Sequence, residues 1–162
     1  MKIQKYFWTL NIIGAIIILI SILTPTSYND GALSFYYVWM IQLAVVVSPL
    51  NISLIRPDIT LIMVSVILTL IIFSCGVIAI TLTSTYIRTS LDFKKLRWKM
   101  LLMAGLVVAA TLYWIIMMES YYNSYGYNHW IASGGEYSPY FGVIGPFIGA
   151  ALIGFGAFTK RG

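Results

Sequence analysis

Few residues of this chain could carry chemistry. Its 162 residues hold five acidic side chains, ten basic ones and a single histidine. His129, Glu119 and Glu136 are the candidates for acid/base work or metal ligation, and all lie in one segment, ESYYNSYGYNHWIASGGEYS (119–138). Metal sites need converging ligands of matched type, and a general base needs an oriented partner; the spacing here fits neither pattern. These three are read as solvated surface residues. No serine sits in a nucleophile elbow, and no Gly-rich loop follows a strand. The lone Cys75 excludes an intramolecular disulfide and, with one histidine, a Cys/His zinc site. Lying in an apolar run, it reads as a small buried hydrophobe. The expectation is a non-enzymatic protein with no cofactor.

The remaining polar residues of interest, Asn11, Ser65, Thr69, Ser74 and Thr81, interrupt long apolar runs. Ser and Thr in such runs bond their own helix or link neighbouring helices, usually for less than about 2 kcal/mol. Packing is therefore the expected role of Ser65 and Thr69. No acid or base falls within those runs, which argues against an ion-coupled transporter. Gly145-Pro-Phe-Ile-Gly149 forms a GxxxG pattern, followed by Gly154. Such glycines let another helix backbone approach closely, here within the same bundle rather than across a homodimer. Asn51-Ile-Ser53 is an acceptor sequon for N-glycosylation.

The elements that carry these residues are set by hydrophobicity. Sixty per cent of the chain is hydrophobic and 9% charged, too little charge to cover a soluble globule of this size. The expected solvent for most of the chain is lipid, in one membrane domain (1–162). A span needs about 20 apolar residues. Four runs qualify: about 7–24, 59–85, 100–118 and 139–158, none containing Asp, Glu, Lys, Arg or His. The first is read as an uncleaved anchor, because Leu23-Thr24-Pro25-Thr26 lacks a small-x-small cleavage site. A fifth apolar region, 33–55, is decided by charge. With four spans, nine of the ten basic residues fall on one side, with loop 86–99 and both termini; only Arg56 falls on the other. A fifth span would move the cluster Lys94, Lys95, Arg97 and Lys99 outward, against the positive-inside bias. Both termini are thus expected in the cytoplasm of a cell-membrane protein. The net charge of +5 then reflects topology and contact with anionic lipid rather than nucleic acid.

Outer loops 25–58 and 119–138 follow from this layout. In the first, the odd-numbered Phe35, Tyr37, Trp39, Ile41, Leu43, Val45 and Val47 are all apolar, while the even-numbered positions include Ser34, Gln42, Ala44 and Ser48. That period of two predicts a strand with one buried face, with a re-entrant or interfacial helix as the alternative. Asn29-Asp30-Gly31 suits a hairpin turn upstream, and Leu50–Ile55 suits a second short strand. The second loop is crowded with Tyr121, Tyr122, Tyr125, Tyr127 and Trp130, more than a membrane-interface belt requires. It is expected to pack on the 34–47 strand as an aromatic outer cap. The predicted fold is an all-α membrane protein: a four-helix transmembrane bundle with a small extracellular antiparallel β-sheet built from the first outer loop.

This layout resembles the claudin and peripheral-myelin-protein group of four-span proteins. Ile55-Arg-Pro-Asp-Ile-Thr-Leu-Ile-Met-Val-Ser-Val-Ile67 is similar to the arginine-led entry to the group's second span, and Tyr137-Ser-Pro-Tyr-Phe-Gly-Val-Ile-Gly-Pro146 to the start of its fourth. The group's first-loop Trp, Gly-Leu-Trp and paired cysteines are missing, with only Trp39 able to stand for any of them. The resemblance implies a left-handed bundle used for lateral association or contact. The functional expectation is a contact protein with an outer surface of Trp39, Tyr121, Tyr122, Tyr125, Tyr127 and Trp130. Its partners are expected to be membrane lipids, further copies of itself or other membrane subunits. The alternatives are an accessory subunit of a larger membrane complex and, behind it, a small oligomeric channel lined by Ser65, Thr69 and Asn11.

Overall fold

A computed structural model describes residues 4–29, 34–36, 38, 42–47, 50–55, 58–88 and 93–158, with backbone alone at 4–7, 34–36, 42–47, 50–55 and 93. Four α-helices frame the described residues: α1 (Gln4–Ile22), α2 (Ile59–Arg88), α3 (Phe93–Asn123) and α4 (Phe141–Phe158). Three of them, α2, α3 and α4, are long and apolar enough to cross a membrane; the apolar stretch Trp8–Ile22 of α1 is shorter. The outward faces are apolar too, with Leu70, Phe73, Leu102 and Phe155 all more than half exposed. Helices α2 and α3 extend beyond the runs 59–85 and 100–118. Lys94, Lys95, Arg97 and Lys99 consequently ride on the first turns of α3.

Small residues set the closest helix pair. Helices α1 and α4 make the most extensive contact of any two elements. A Cβ on Gly14 would stand 2.5 Å from the Gly149 carbonyl oxygen, and one on Gly149 would stand 2.5 Å from that of Gly14. The two backbones therefore touch, as the GxxxG pattern anticipates. A Cβ on Gly145 would meet Ser21 Cβ at 2.7 Å. Gly154 differs from that expectation: nothing lies within 4 Å of its Cβ position, so it packs against no neighbour among the described residues.

Among the described residues five short strands cap one end of the bundle: β1 (Ser27–Asn29), β2 (Ser34–Tyr36), β3 (Gln42–Val47), β4 (Leu50–Ile55) and β5 (Ser138–Pro139). They form one antiparallel sheet in the order β4-β3-β2-β1-β5. Region 33–55 is thus strand rather than helix where it is described, but the single strand expected across 35–47 is two. Ser34 and Phe35 of β2 pair with Ala44 and Leu43 of β3. A period of two cannot register the reversal between them, because both strands share it. The sheet also draws on the second loop. Strand β5 pairs with β1 because the α1–α4 contact brings the exit of α1 and the entry of α4 together. There the Gly142 N–H donates to Pro25 O (2.7 Å) and the Tyr140 N–H to Thr26 O (2.8 Å). The expected turn at Asn29-Asp30-Gly31 and Trp39 fall largely or wholly outside the described residues.

Candidate functional site

The densest cluster of chemically capable side chains lies beneath β1 and β5, where segment 124–137 folds over the ends of α3 and α4. Its conformation begins at the end of α3. Gly126 stands at φ +81°, with its N–H donating to Asn123 O and the Tyr127 N–H donating to Tyr122 O. This paired arrangement stops a helix and turns the chain sharply. A 3₁₀ turn at Ile131–Ser133 follows, closed by Gly134 at φ +86°.

His129 sits at the centre and is fully buried, contrary to the expectation of a solvated surface residue. Its ring stacks flat on Tyr137 (4.4 Å between centroids, 7°) and meets Trp130 edge-on at 4.5 Å; Tyr122 lies 4.6 Å away. Its Nε2 lies 3.0 Å from the Ser27 hydroxyl, a hydrogen bond whose donor depends on the ring tautomer. Burial pushes the imidazolium down to about pKa 4, only partly opposed by the Glu119 charge, so the ring is neutral at physiological pH. Glu119 is half-buried and is spent on the backbone: one carboxylate oxygen accepts the N–H groups of His129 (3.1 Å) and Trp130 (3.2 Å). Glu136 alone of the three is exposed, and it accepts from Asn29 Nδ2 at 2.9 Å. The loop thus packs on β1, with Tyr140 against Tyr28 (5.6 Å); the side chains of the expected 34–47 strand, Val38 apart, lie outside the described residues.

A serine and a neutral histidine 3.0 Å apart suggest a nucleophile and its base. Both are wholly buried, and the ring is covered by tyrosine and tryptophan. The pair joins strand to loop. No group of three or more His, Cys, Asp or Glu that could hold a metal occurs among the described residues.

No protein-family model, curated protein or solved structure matches the chain.

The cap is stapled downward into the bundle. Trp130 Nε1 donates to Ile115 O (3.3 Å), and its ring meets Trp114 edge-on at 6.1 Å. The buried Trp114 in turn donates its Nε1–H to Ser65 Oγ (3.3 Å), tying α3 to α2. Ser65 thus links the two helices, and Thr69 returns its hydroxyl to Ser65 O (2.8 Å) on its own helix. Asn51 lies on β4, opposite Val46.

The expected aromatic surface divides three ways. Tyr122 and Trp130 face inward and hold His129. Tyr121 and Tyr125 meet edge-to-face at 5.2 Å beside the start of α2. Tyr127, 69% exposed, points outward with Ile131 and Tyr140. Sequence reasoning missed Trp114 and the burial of His129. The available signal was local: Glu119 directly follows the apolar run 100–118, and an acid at such an edge needs N–H donors close by.

Proposed function

We propose that this is a non-enzymatic multi-pass protein of the cell membrane, with four spans and cytoplasmic termini, that acts by lateral association with further copies of itself through its outer cap. The apolar outward faces of the helices support the membrane setting, because a water-soluble protein rarely exposes so much contiguous apolar area. The claudin-like layout is supported by the order of elements, a sheet inserted after α1 and completed by a strand just before α4.

One observation carries the contact role. The cap is held rigidly from beneath by His129, Glu119 and Trp130, yet presents Tyr127 and Ile131 outward at 69% and 55% exposure. Rigid aromatic and aliphatic anchors on a preformed platform lose little entropy on association. Mass measurement of the protein extracted in mild detergent tests this. An oligomer that reverts to monomer in the Tyr127→Ser/Ile131→Ser double variant is expected. A strictly monomeric wild type would overturn the role, and a stoichiometric foreign partner would make the chain an accessory subunit instead.

A further inference from the structure

Two cavities lie between α2 and α3, one above the other. The first, about 450 Å³, opens beside the sheet and is lined by Asp58, Tyr121 and Tyr125, with Val64, Tyr113 and Met117 deeper. The second, about 360 Å³, lies further along the bundle, where Ile67, Ile71, Ile78 and Leu106 make its walls almost wholly apolar. Thr60, Val64, Ile67, Ile71, Ser74 and Ile78 are spaced four, three, four, three and four apart, which places them on one stripe of α2. Met103, Leu106, Tyr113, Met117 and Ser120, spaced three, seven, four and three apart, fall on one stripe of α3. The two cavities share no lining residue and lie in line along the furrow between α2 and α3. From Val64 to Ile78 it runs about 20 Å, at 1.5 Å per residue.

The furrow is polar at the sheet end and apolar toward the middle of the bundle, the polarity gradient of a lipid standing in a leaflet. Its polar end has one sign. Asp58 caps α2, its carboxylate accepting the Thr60 N–H at 2.7 Å. Hydrogen bonds from Thr60 hold that carboxyl below its usual range, so it is ionised at neutral pH. Beside it the Tyr121 and Tyr125 rings meet edge-to-face at 5.2 Å and line the same mouth, two ring walls next to the negative charge. A carboxylate flanked by aromatic rings attracts a desolvated cation, quaternary ammonium above all.

We propose that the α2–α3 furrow binds one bilayer lipid with a cationic headgroup nitrogen, the nitrogen held by Asp58 with Tyr121 and Tyr125, and an acyl chain laid along Ile67–Ile78. The site rests on the membrane reading above but not on the contact role, which uses Tyr127 and Ile131 on another face. Recognition depends on charge at the mouth and on shape below it, so two variants separate these contributions. Asn caps a helix as well as Asp does, so Asp58→Asn removes the charge and keeps α2 intact. Leu106→Trp fills the apolar half.

Native mass spectrometry of the full-length protein in detergent, titrated with dioleoylphosphatidylcholine or dioleoylphosphatidylglycerol, tests the site. The two lipids share their chains and differ in headgroup charge. The expected result is one retained phosphatidylcholine per chain, with phosphatidylglycerol weaker by roughly tenfold. Asp58→Asn should erase that difference at unchanged melting temperature, and Leu106→Trp should weaken both lipids. Equal retention of the two lipids by wild type and Asp58→Asn would mean ordinary annular lipid and overturn the site. A chain released from membranes by alkaline carbonate, without detergent, would overturn the membrane reading itself.

Discussion

At the scale of single residues, two buried polar groups dominate, and they act in opposite senses. His129 is held as a neutral ring: it has Ser27 on Nε2 and aromatic rings on three sides, and only its Nδ1 makes no hydrogen bond among the described residues. Its proton affinity falls from an ordinary pKa of 6.5 to about 4 in the fold. Between those values the unfolded chain holds more protons than the folded one, so stability is complete above pH 6.5 and is lost as pH falls toward 4. The loss should approach on the order of 3 kcal/mol at the acid end. Melting temperature in detergent should drop steadily from pH 7 to pH 4.5, and His129→Gln should flatten that slope. Asn11 is the opposite case. Its amide is fully buried in α1, and neither polar atom has a hydrogen-bond partner among the described residues. Such a group costs about 1–3 kcal/mol. Asn11→Leu should therefore raise the melting temperature; a fall would show that the amide carries a function absent from the packing.

At the scale of elements, α1 and α4 matter most, because their backbone contact aligns β1 with β5 and so builds the cap. Gly149→Ala would press a methyl onto the Gly14 carbonyl and should destabilise by on the order of 2 kcal/mol, as overpacking does. Gly154→Ala meets nothing within 4 Å and should be neutral or stabilising by up to about 1 kcal/mol, since alanine is the better helix former. Thermal denaturation of the two variants side by side checks both. The glycine-rich character of α4 was plain in sequence, but not which glycines bear the contact. All lie on a helix of 3.6 residues per turn, and only the position of α1 separates Gly149 from Gly154. Strand β1 was illegible for a different reason. Three residues are too short to show a period, and the strand exists because β2 and β5 flank it.

At the scale of the whole molecule, the polarity of the ends gives a direct test of orientation. Lys95 is exposed at one end of the bundle and Ala132 at the other. In a Cys75→Ser background, cysteine introduced by Ala132→Cys should react with an impermeant maleimide on intact cells. Lys95→Cys should react only after permeabilisation. The reverse pattern would invert the proposed topology. The basic end has its own closure, with the Arg97 guanidinium carbon 4.7 Å from the centre of the Phe158 ring, joining the start of α3 to the end of α4.

Hydropathy and charge, read one residue at a time, determined the long apolar helices, the strand character of 34–36, 42–47 and 50–55, and the crowding of aromatics into 119–138. These properties depend on local composition and spacing, which the chain carries whether or not it is folded. Tertiary structure alone decided which of those residues meet. It made His129 a buried staple rather than a surface group, turned Glu119 onto two backbone N–H groups, and split the tyrosines among core, furrow and outward face. Burial and partnership arise between segments distant in the chain: Ser27 and His129 are brought together only when α1 and α4 touch. That contact, set by two glycines lacking a side chain, is what shapes the cap.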